Sequence, residues 1–166
     1  MSKKQEAKVE ELESVGRALS NSEAFIEKNQ KPIFIGVGVV VLIVLGIMAF
    51  HNFYLKPRET AAENAMYRAQ EFFAVDSFRV ALEGDGTKSM GFKEIASEYG
   101  MTASGNLANA YTGICYYKLG KYEDAIKYLV QYDGDDNYFK TSVVGLTGDC
   151  YAELGDKGKA QSFYKK

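Results

Sequence analysis

Several residue types that carry chemistry are scarce in this chain. Its 166 residues include two Cys, two Pro, one His and no Trp. Two cysteines are too few for a disulfide-stapled scaffold or for a Cys-x-x-Cys metal site. The single His51 lies in an apolar run and offers no partner for a nucleophilic Ser or Cys, and no glycine-rich phosphate-binding motif precedes a helix. We therefore expect no enzymatic activity, no metal and no cofactor.

An excess of either charge is also lacking. Lys and Arg number 20 and Asp and Glu number 22, which gives a net charge of −2 at pH 7. The charges are mixed along the sequence, without the basic stripe that binds nucleic acid. Both prolines, Pro32 and Pro57, flank the apolar run, and no proline follows Pro57. Because proline disrupts helix interiors, this distribution favours a helical domain after residue 57.

The apolar run Ile33–Leu55 has 23 residues and no formal charge. As a helix it would be roughly 34 Å long, enough to cross the ~30 Å hydrocarbon core of a bilayer. A cleaved signal peptide is the alternative, but its apolar part is usually about 7–15 residues long and follows a short basic start. Here a polar arm of 32 residues comes first, and the residues after the run lack a small-x-small cleavage pattern. We therefore predict one uncleaved transmembrane helix at residues 33–55.

The direction of this helix is not decided by the flanking charges. Each side carries three basic residues within about 20 positions of the run, so the positive-inside rule gives a tie. These residues are Arg17, Lys28 and Lys31 on one side and Lys56, Arg58 and Arg68 on the other. A short arm before a long C-terminal domain favours a cytoplasmic N-terminus. A receptor of reversed topology, with its C-terminal domain in the cytosol, stays open.

The N-terminal arm, residues 1–32, has two interpretations. Val9, Leu12, Val15 and Leu19 recur at spacings of three and four and form a narrow amphipathic stripe. The arm is then either a helix that docks on a membrane partner or a loosely ordered cytosolic tail.

A repeat organises the region after the apolar run. Residues 112–125 read TGICYYKLGKYEDA and residues 147–160 read TGDCYAELGDKGKA, with seven identities at an offset of 35 residues. A period near 34 with small, aromatic, Leu-Gly and Ala landmarks is typical of the tetratricopeptide helix-turn-helix unit. Gly113 and Gly148 would let the two helices of a unit approach closely, and the Leu-Gly pair would end the first helix.

The repeat pattern predicts an all-α fold: a single transmembrane helix followed by a tetratricopeptide-repeat α-solenoid. Residues 101–166 would hold two repeats, and we expect the last one to be incomplete at the C-terminus. Residues 56–100 would hold a degenerate first repeat, in which Asp76 replaces the turn glycine, and an adaptor helix at residues 92–99. The degenerate copy is recognised by four further landmarks, Ala69, Phe72, Phe78 and Ala81.

An acidic stretch between the two repeats resembles a calcium loop at first sight. Asp133, Asp135 and Asn137 have the spacing of ligands one, three and five. The loop would then need Gly at position six and Glu at position twelve, where the sequence has Tyr138 and Val144. Asp, Gly and Asn are also common in turns for backbone reasons, so we interpret the stretch as a turn.

A stack of such repeats binds chain segments on the concave face lined by its first helices. Alignment to the repeat predicts a protein-binding face of Leu107, Ala110, Ile114, Tyr117 and Asp149. The Lys and Asn residues with which some tetratricopeptide domains hold a C-terminal carboxylate are missing at these positions. The predicted face is small and partly apolar, suited to a hydrophobic segment or a partner helix. The alternative is that these side chains pack against the preceding unit.

The stretch SEYG…GNLANAYTGICYYKLGKYEDAIKYL, behind a short arm and a single anchor, is similar to the bacterial YfgM-like family. Members of this family are ancillary subunits of the SecYEG translocon. The resemblance implies a bacterial inner-membrane protein with a cytoplasmic N-terminus and periplasmic repeats. It also implies a partner of the type of PpiD, a membrane-anchored periplasmic chaperone.

These observations predict a membrane-anchored interaction scaffold at the Sec translocon. Its role would be to assist the handover of exported polypeptides to periplasmic chaperones. The alternative is an envelope-assembly adaptor whose repeats bind cell-wall or outer-membrane machinery.

Overall fold

The computed structural model describes residues 26–165, and over this range the chain is all-helical, with no strand. The amphipathic stripe predicted in the arm and the predicted incomplete C-terminus at Lys166 lie outside the described residues. The chain divides into two compact units between Ala49 and Phe50. The domain boundaries expected from the sequence stay predictions.

The first unit contributes one described helix, α1, which runs from Gln30 to Ala49. The helical run that it begins contains an 18-residue window of mean hydropathy 3.0, none of it buried. This helix is long and apolar enough to span a membrane, because from residue 32 to its end its side chains carry no polar group that would have to leave water. It has no polar face, as expected for a helix surrounded by lipid rather than lying against a protein core.

The second unit begins with a short π-helical segment at Phe50–Leu55, inside the span predicted at residues 33–55. Seven α-helices follow. Pro57 lies in the first turn of α2, directly after the π-helical segment, and has no N–H to donate to it. Their bounds are α2 Lys56–Ala74, α3 Phe78–Glu83, α4 Phe92–Glu98, α5 Ala103–Lys118, α6 Tyr122–Leu129, α7 Asn137–Glu153 and α8 Lys157–Tyr164. A helix is present where one was predicted at residues 92–99, namely α4, with Tyr99 at its C-cap. Its role as an adaptor stays a prediction.

Three helical hairpins, α2–α3, α5–α6 and α7–α8, share one turn geometry. In each, the residue after the C-cap has a positive φ, and two backbone N–H groups bond back to the last helical turn, as in the Schellman motif. The positive-φ residues are Asp76 (57°), Gly120 (71°) and Gly155 (79°). The longer hydrogen bonds run from Ser77 N to Phe72 O (3.0 Å), Lys121 N to Tyr116 O (2.9 Å) and Asp156 N to Tyr151 O (2.9 Å).

The repeat landmarks have the packing roles that the sequence predicts. A Cβ on Gly113 would come within 2.5 Å of the Leu129 Cγ atom, and one on Gly148 within 2.5 Å of the Tyr164 ring. The α5–α6 and α7–α8 hairpins therefore each close over a glycine that lets the second helix approach. The small residues of the second helices, Ala81, Ala125 and Ala160, are buried.

The hydrophobic core is formed mainly by residues of α2, α3, α4, α5 and α6. Its largest fully buried side chains are Phe92, Leu82, Ile95 and Leu129. Helix α5 is the centre of the unit, since α2, α3, α4, α6 and α7 all contact it. This position fixes which of its residues can reach solvent.

Candidate functional site

The five residues predicted to line a concave face do not form one surface. Ala110 is fully buried, because α5 is covered by five other helices, so its prediction as a partner-binding residue is wrong for this structure. Ile114 and Tyr117 are half-buried, and the Tyr117 ring lies 5.6 Å from the Tyr122 ring. Asp149 accepts a hydrogen bond from the Tyr164 hydroxyl at 2.7 Å. Leu107 alone of the five lines the main cavity of the second unit.

That cavity is an open groove of about 690 Å³, which we call the α5–α7 groove. It lies between the start of α5, with the turn before it, and the loop that leads from α6 into α7. A volume of this size falls within the range of ~300–1,000 Å³ typical of ligand sites. Its lining residues are Gly100, Met101, Thr102, Ala103, Asn106, Leu107, Tyr111, Tyr132, Asp133, Gly134, Asp135, Asp136 and Phe139.

Aromatic rings form the apolar part of the groove. Tyr132 and Phe139 meet edge to face with their centroids 5.3 Å apart. Tyr111 lies 6.3 Å from Phe139 and stacks at 4.8 Å on the buried Phe92. The groove wall is thus continuous with the core, and edge-to-face and stacked pairs of this kind hold their rings in fixed orientations.

Three aspartates form the opposite, polar rim. Asp136 caps α7 by accepting hydrogen bonds from the backbone N–H groups of Tyr138 (2.9 Å) and Phe139 (3.1 Å). Asp133 pairs with Lys140 at 2.5 Å, and the hydrogen bond from that ammonium holds the pKa of the carboxyl below its usual value. Asp135 makes no ion pair with any residue of the described range.

The electrostatic effect of this rim is visible at Tyr132. Burial raises the pKa of its hydroxyl above the ordinary value. The charge of Asp136 raises it further, the ammonium of Lys140 lowers it, and Asp135 and Asp133 add smaller increases. Among the residues that the structure describes, no Lys or Arg lines the groove. The groove therefore combines an apolar floor with a rim of net negative charge.

Both walls of the groove are held by side-chain hydrogen bonds. Asn106, on α5, accepts a hydrogen bond through its Oδ1 atom from the backbone N–H of Asp133 at 3.1 Å. On the other side, Glu59 of α2 accepts hydrogen bonds from the backbone N–H groups of Ala103 (2.8 Å) and Ser104 (3.0 Å). The loop and the start of α5 are thus fixed before any partner binds.

The acidic stretch 133–137 has local structural roles in the turn. Its carboxylates cap α7 and pair with Lys140, as described above. Within residues 26–165, no group of three or more His, Cys, Asp or Glu side chains is arranged to hold a metal ion. The two thiols, Cys115 and Cys150, are free and buried, so neither is exposed to a substrate.

Sequence reasoning missed the aromatic part of the groove. Tyr132 and Phe139 lie on either side of the Asp-rich turn, outside the first-helix positions that the repeat alignment selects. The signal that could have found them is Asp136, which precedes α7 as an N-cap residue and so fixes where the next helix starts. That start places Phe139 in the first turn of α7, within reach of Tyr132.

The groove offers non-covalent recognition of a ligand with an apolar part and a polar part. Comparison of the chain with protein-family profiles, with curated proteins and with solved structures finds no match. The resemblance to the YfgM-like family stays a prediction from the sequence.

Proposed function

We propose that this protein is a membrane-anchored scaffold that binds a segment of a partner polypeptide in the α5–α7 groove. The observation that carries the proposal is the groove itself: three aromatic rings and Leu107, all half-buried, line it beside a preorganised acidic loop. Such apolar, half-open surfaces with a polar rim are typical of protein-recognition sites.

The three hairpins with matching turns support a tetratricopeptide-type α-solenoid. Their positive-φ residues occupy equivalent places, and the same two hydrogen bonds close each turn. Tetratricopeptide stacks are interaction modules, so this architecture agrees with a scaffold.

The length and apolar character of α1 support anchoring in a membrane. From the resemblance stated above, the membrane is the bacterial inner membrane, the N-terminus is cytoplasmic and the second unit is periplasmic. The partners are the SecYEG translocon, a PpiD-type chaperone and exported polypeptides, which the scaffold helps to pass from translocon to chaperone.

Photocrosslinking in cells tests the partner assignment. We expect p-benzoylphenylalanine at Met101, which is 69% exposed and lines the groove, to crosslink translocon subunits, the chaperone or exported chains, identified by mass spectrometry. The matched control is the same group at Tyr67, which is 64% exposed on α2 outside the groove. Identical products from both positions would contradict a groove-specific partner. Products limited to cell-wall or outer-membrane factors would favour the envelope-assembly adaptor.

Topology is tested with a membrane-impermeant maleimide. The native thiols are buried, so a cysteine introduced as Glu63→Cys, at an exposed site of α2, reports the side of the second unit. We expect labelling once the outer membrane is permeabilised, with the inner membrane intact. Labelling that requires lysis of the inner membrane would show the reversed topology.

A further inference from the structure

We propose that the α5–α7 groove selects polypeptide segments in which a bulky apolar side chain has a Lys or Arg within two residues of it. This inference rests on the proposed function, since it names the class of segment that the same groove binds. It adds a charge requirement that the repeat architecture alone does not contain.

The requirement for a cation follows from the charge balance of the groove. Three aspartates, Asp133, Asp135 and Asp136, line it. The ammonium of Lys140 offsets Asp133, whereas the capping bonds of Asp136 come from neutral amides and leave its charge in place. Asp135 has no ion pair among the described residues and is exposed. The rim therefore carries three carboxylates against the single ammonium of Lys140, an excess of two negative charges.

The apolar requirement follows from the opposite wall. Leu107, Tyr111 and Phe139 are half-buried and present apolar surface that the protein itself leaves partly uncovered. An apolar side chain seated there would remove this surface from water, which stabilises binding by roughly 25 cal/mol per Å². In an extended segment, residues two apart point to the same side and lie roughly 7 Å apart. A cation two residues away can thus reach the acidic rim while the apolar side chain stays on the rings.

Tyr132 joins the two halves of the site. Its ring packs on Phe139 and its chain neighbour is Asp133, so a Lys or Arg at the rim would lie near both a carboxylate and an aromatic face. Cations are attracted to the faces of such rings. Acidic segments and anionic lipid headgroups carry the opposite charge and are repelled by the rim. The chemistry therefore favours a cationic polypeptide over a membrane surface.

The groove is also preorganised for such a segment. The Asn106–Asp133 bond, the Asp136 cap and the Glu59 bonds fix its two walls in the unbound protein. Binding then costs little ordering of the protein, which is one of the losses that a weak peptide ligand has to offset.

The test measures binding of three peptides to the full chain in uncharged detergent micelles by fluorescence anisotropy. Each peptide has nine residues, a neutral dye and the same Leu-Phe-Ser core, followed by Lys, Gln or Glu. We expect the Lys peptide to bind about tenfold more tightly than the Glu peptide, with the Gln peptide between them. Raising NaCl from 50 to 500 mM should remove most of this difference, because an exposed rim is screened by salt.

Variants locate the effect. Asp135→Asn/Asp136→Asn removes this excess of two negative charges and keeps a good N-cap, since Asn caps helices as well as Asp. We expect this double variant to bind the Lys peptide about fivefold more weakly and the Gln peptide with unchanged affinity. The matched control, Glu63→Gln/Glu123→Gln, removes two exposed charges outside the groove and should change neither. Leu107→Ser should weaken the binding of all three peptides.

The possible results separate this inference from the proposed function. Equal affinity for the three peptides, with weakening of all of them by Leu107→Ser, would overturn the charge requirement and leave the groove as a polypeptide site. Tighter binding of the Glu peptide would also overturn it. Absence of binding by every peptide, together with absence of Met101-specific crosslinks, would overturn both.

Discussion

Glu59 accepts a hydrogen bond from the Ser104 hydroxyl at 2.6 Å, across 45 positions of sequence. The same carboxylate accepts the backbone N–H groups of Ala103 and Ser104, while the Thr102 hydroxyl accepts that of Gly105 at 3.0 Å. Three of the four N–H groups that a helix leaves unpaired at its start are thus satisfied in α5. Two of them depend on a side chain from another helix.

The first prediction concerns this long-range cap. Glu59→Ala should lower the free energy of unfolding by about 1–2 kcal/mol, because charged acceptors at a helix N-terminus are worth roughly that amount. Urea unfolding followed by circular dichroism on the full chain in micelles measures the change. Glu63→Ala, on the same helix and exposed, is the control and should change stability by less than about 0.5 kcal/mol. Equal effects of the two variants would show that the carboxylate does not cap α5.

The second prediction compares turn residues at equivalent places. Asp76 has a φ of 57°, which costs an L-residue with a side chain about 1 kcal/mol, so Asp76→Gly should stabilise the protein by up to that amount. Gly120 has a φ of 71° and open space around it, so Gly120→Ala should lower the stability of the protein by about 1 kcal/mol. Thermal unfolding of both variants checks the opposite signs. A loss of stability in Asp76→Gly would indicate that the Asp side chain contributes more than the backbone strain costs.

The third prediction concerns helix approach. Gly113→Ala places a Cβ within 2.6 Å of two Leu129 side-chain atoms and 3.1 Å from the Ala125 carbonyl oxygen, so we expect a loss of about 1–3 kcal/mol. Gly145→Ala in α7 meets nothing within 4 Å and should stabilise its helix by up to about 1 kcal/mol. Urea midpoints of the two variants give the comparison. A tolerated Gly113→Ala would mean that α6 can move away without losing its packing.

The fourth prediction uses two threonines at equivalent repeat positions. Thr147 donates its hydroxyl proton to the Val143 carbonyl oxygen at 2.8 Å, whereas the buried Thr112 hydroxyl has no partner within the described residues. A buried hydroxyl without a hydrogen bond costs about 1–3 kcal/mol, so Thr112→Val should stabilise the protein by about 1 kcal/mol. Thr147→Val should be neutral or destabilising. The same urea series measures both, and equal shifts would imply that the Thr112 hydroxyl is satisfied in solution.

The hairpins were predictable from sequence because their determinants are local. Each unit contains three such determinants: the Leu-Gly pair at the turn, a small residue seven positions before the turn glycine and an Ala five positions after that glycine. Each of them constrains only residues of its own unit. The same reasoning identified Asp76 as a turn residue, and its positive φ confirms that position. Cys115 and Cys150 occupy equivalent positions of the two repeats and are both buried.

The groove was not predictable in the same way, because it depends on which helices cover α5. Repeat alignment assigned Ala110 to an open face, yet α2, α3 and α4 pack around α5 and enclose it. That arrangement depends on the irregular segment before α4, where Gly91 approaches the Leu82 carbonyl too closely for any side chain. The contact between Glu59 and Ser104 depends on the same packing, so no local sequence pattern predicts it.

The final prediction concerns alkaline pH and the buried thiols. Burial raises the pKa of Cys115 to about 12 and, with a smaller contribution from Asp149, that of Cys150 to about 11. The folded protein therefore keeps protons that an unfolded thiol releases near pH 9. This contribution to stability is complete below pH 9 and is lost as the pH rises toward 12.

At pH 10 the Cys115 contribution alone amounts to about 1 kcal/mol of lost stability. Half-buried tyrosines such as Tyr132, whose pKa values are also raised, change stability in the same direction. The contribution of the cysteines therefore has to be isolated by substitution. Cys115→Ala should lower stability at pH 7 because packing is lost. Between pH 8 and 10.5, however, the urea midpoint of this variant should fall less steeply than that of the wild type. Cys150→Ala should reduce the pH dependence of the urea midpoint by a smaller amount, since the pKa of the Cys150 thiol is raised less than that of Cys115. Parallel curves for all three proteins would show that the Cys115 thiol reaches water in the folded state and ionises there as freely as in the unfolded chain.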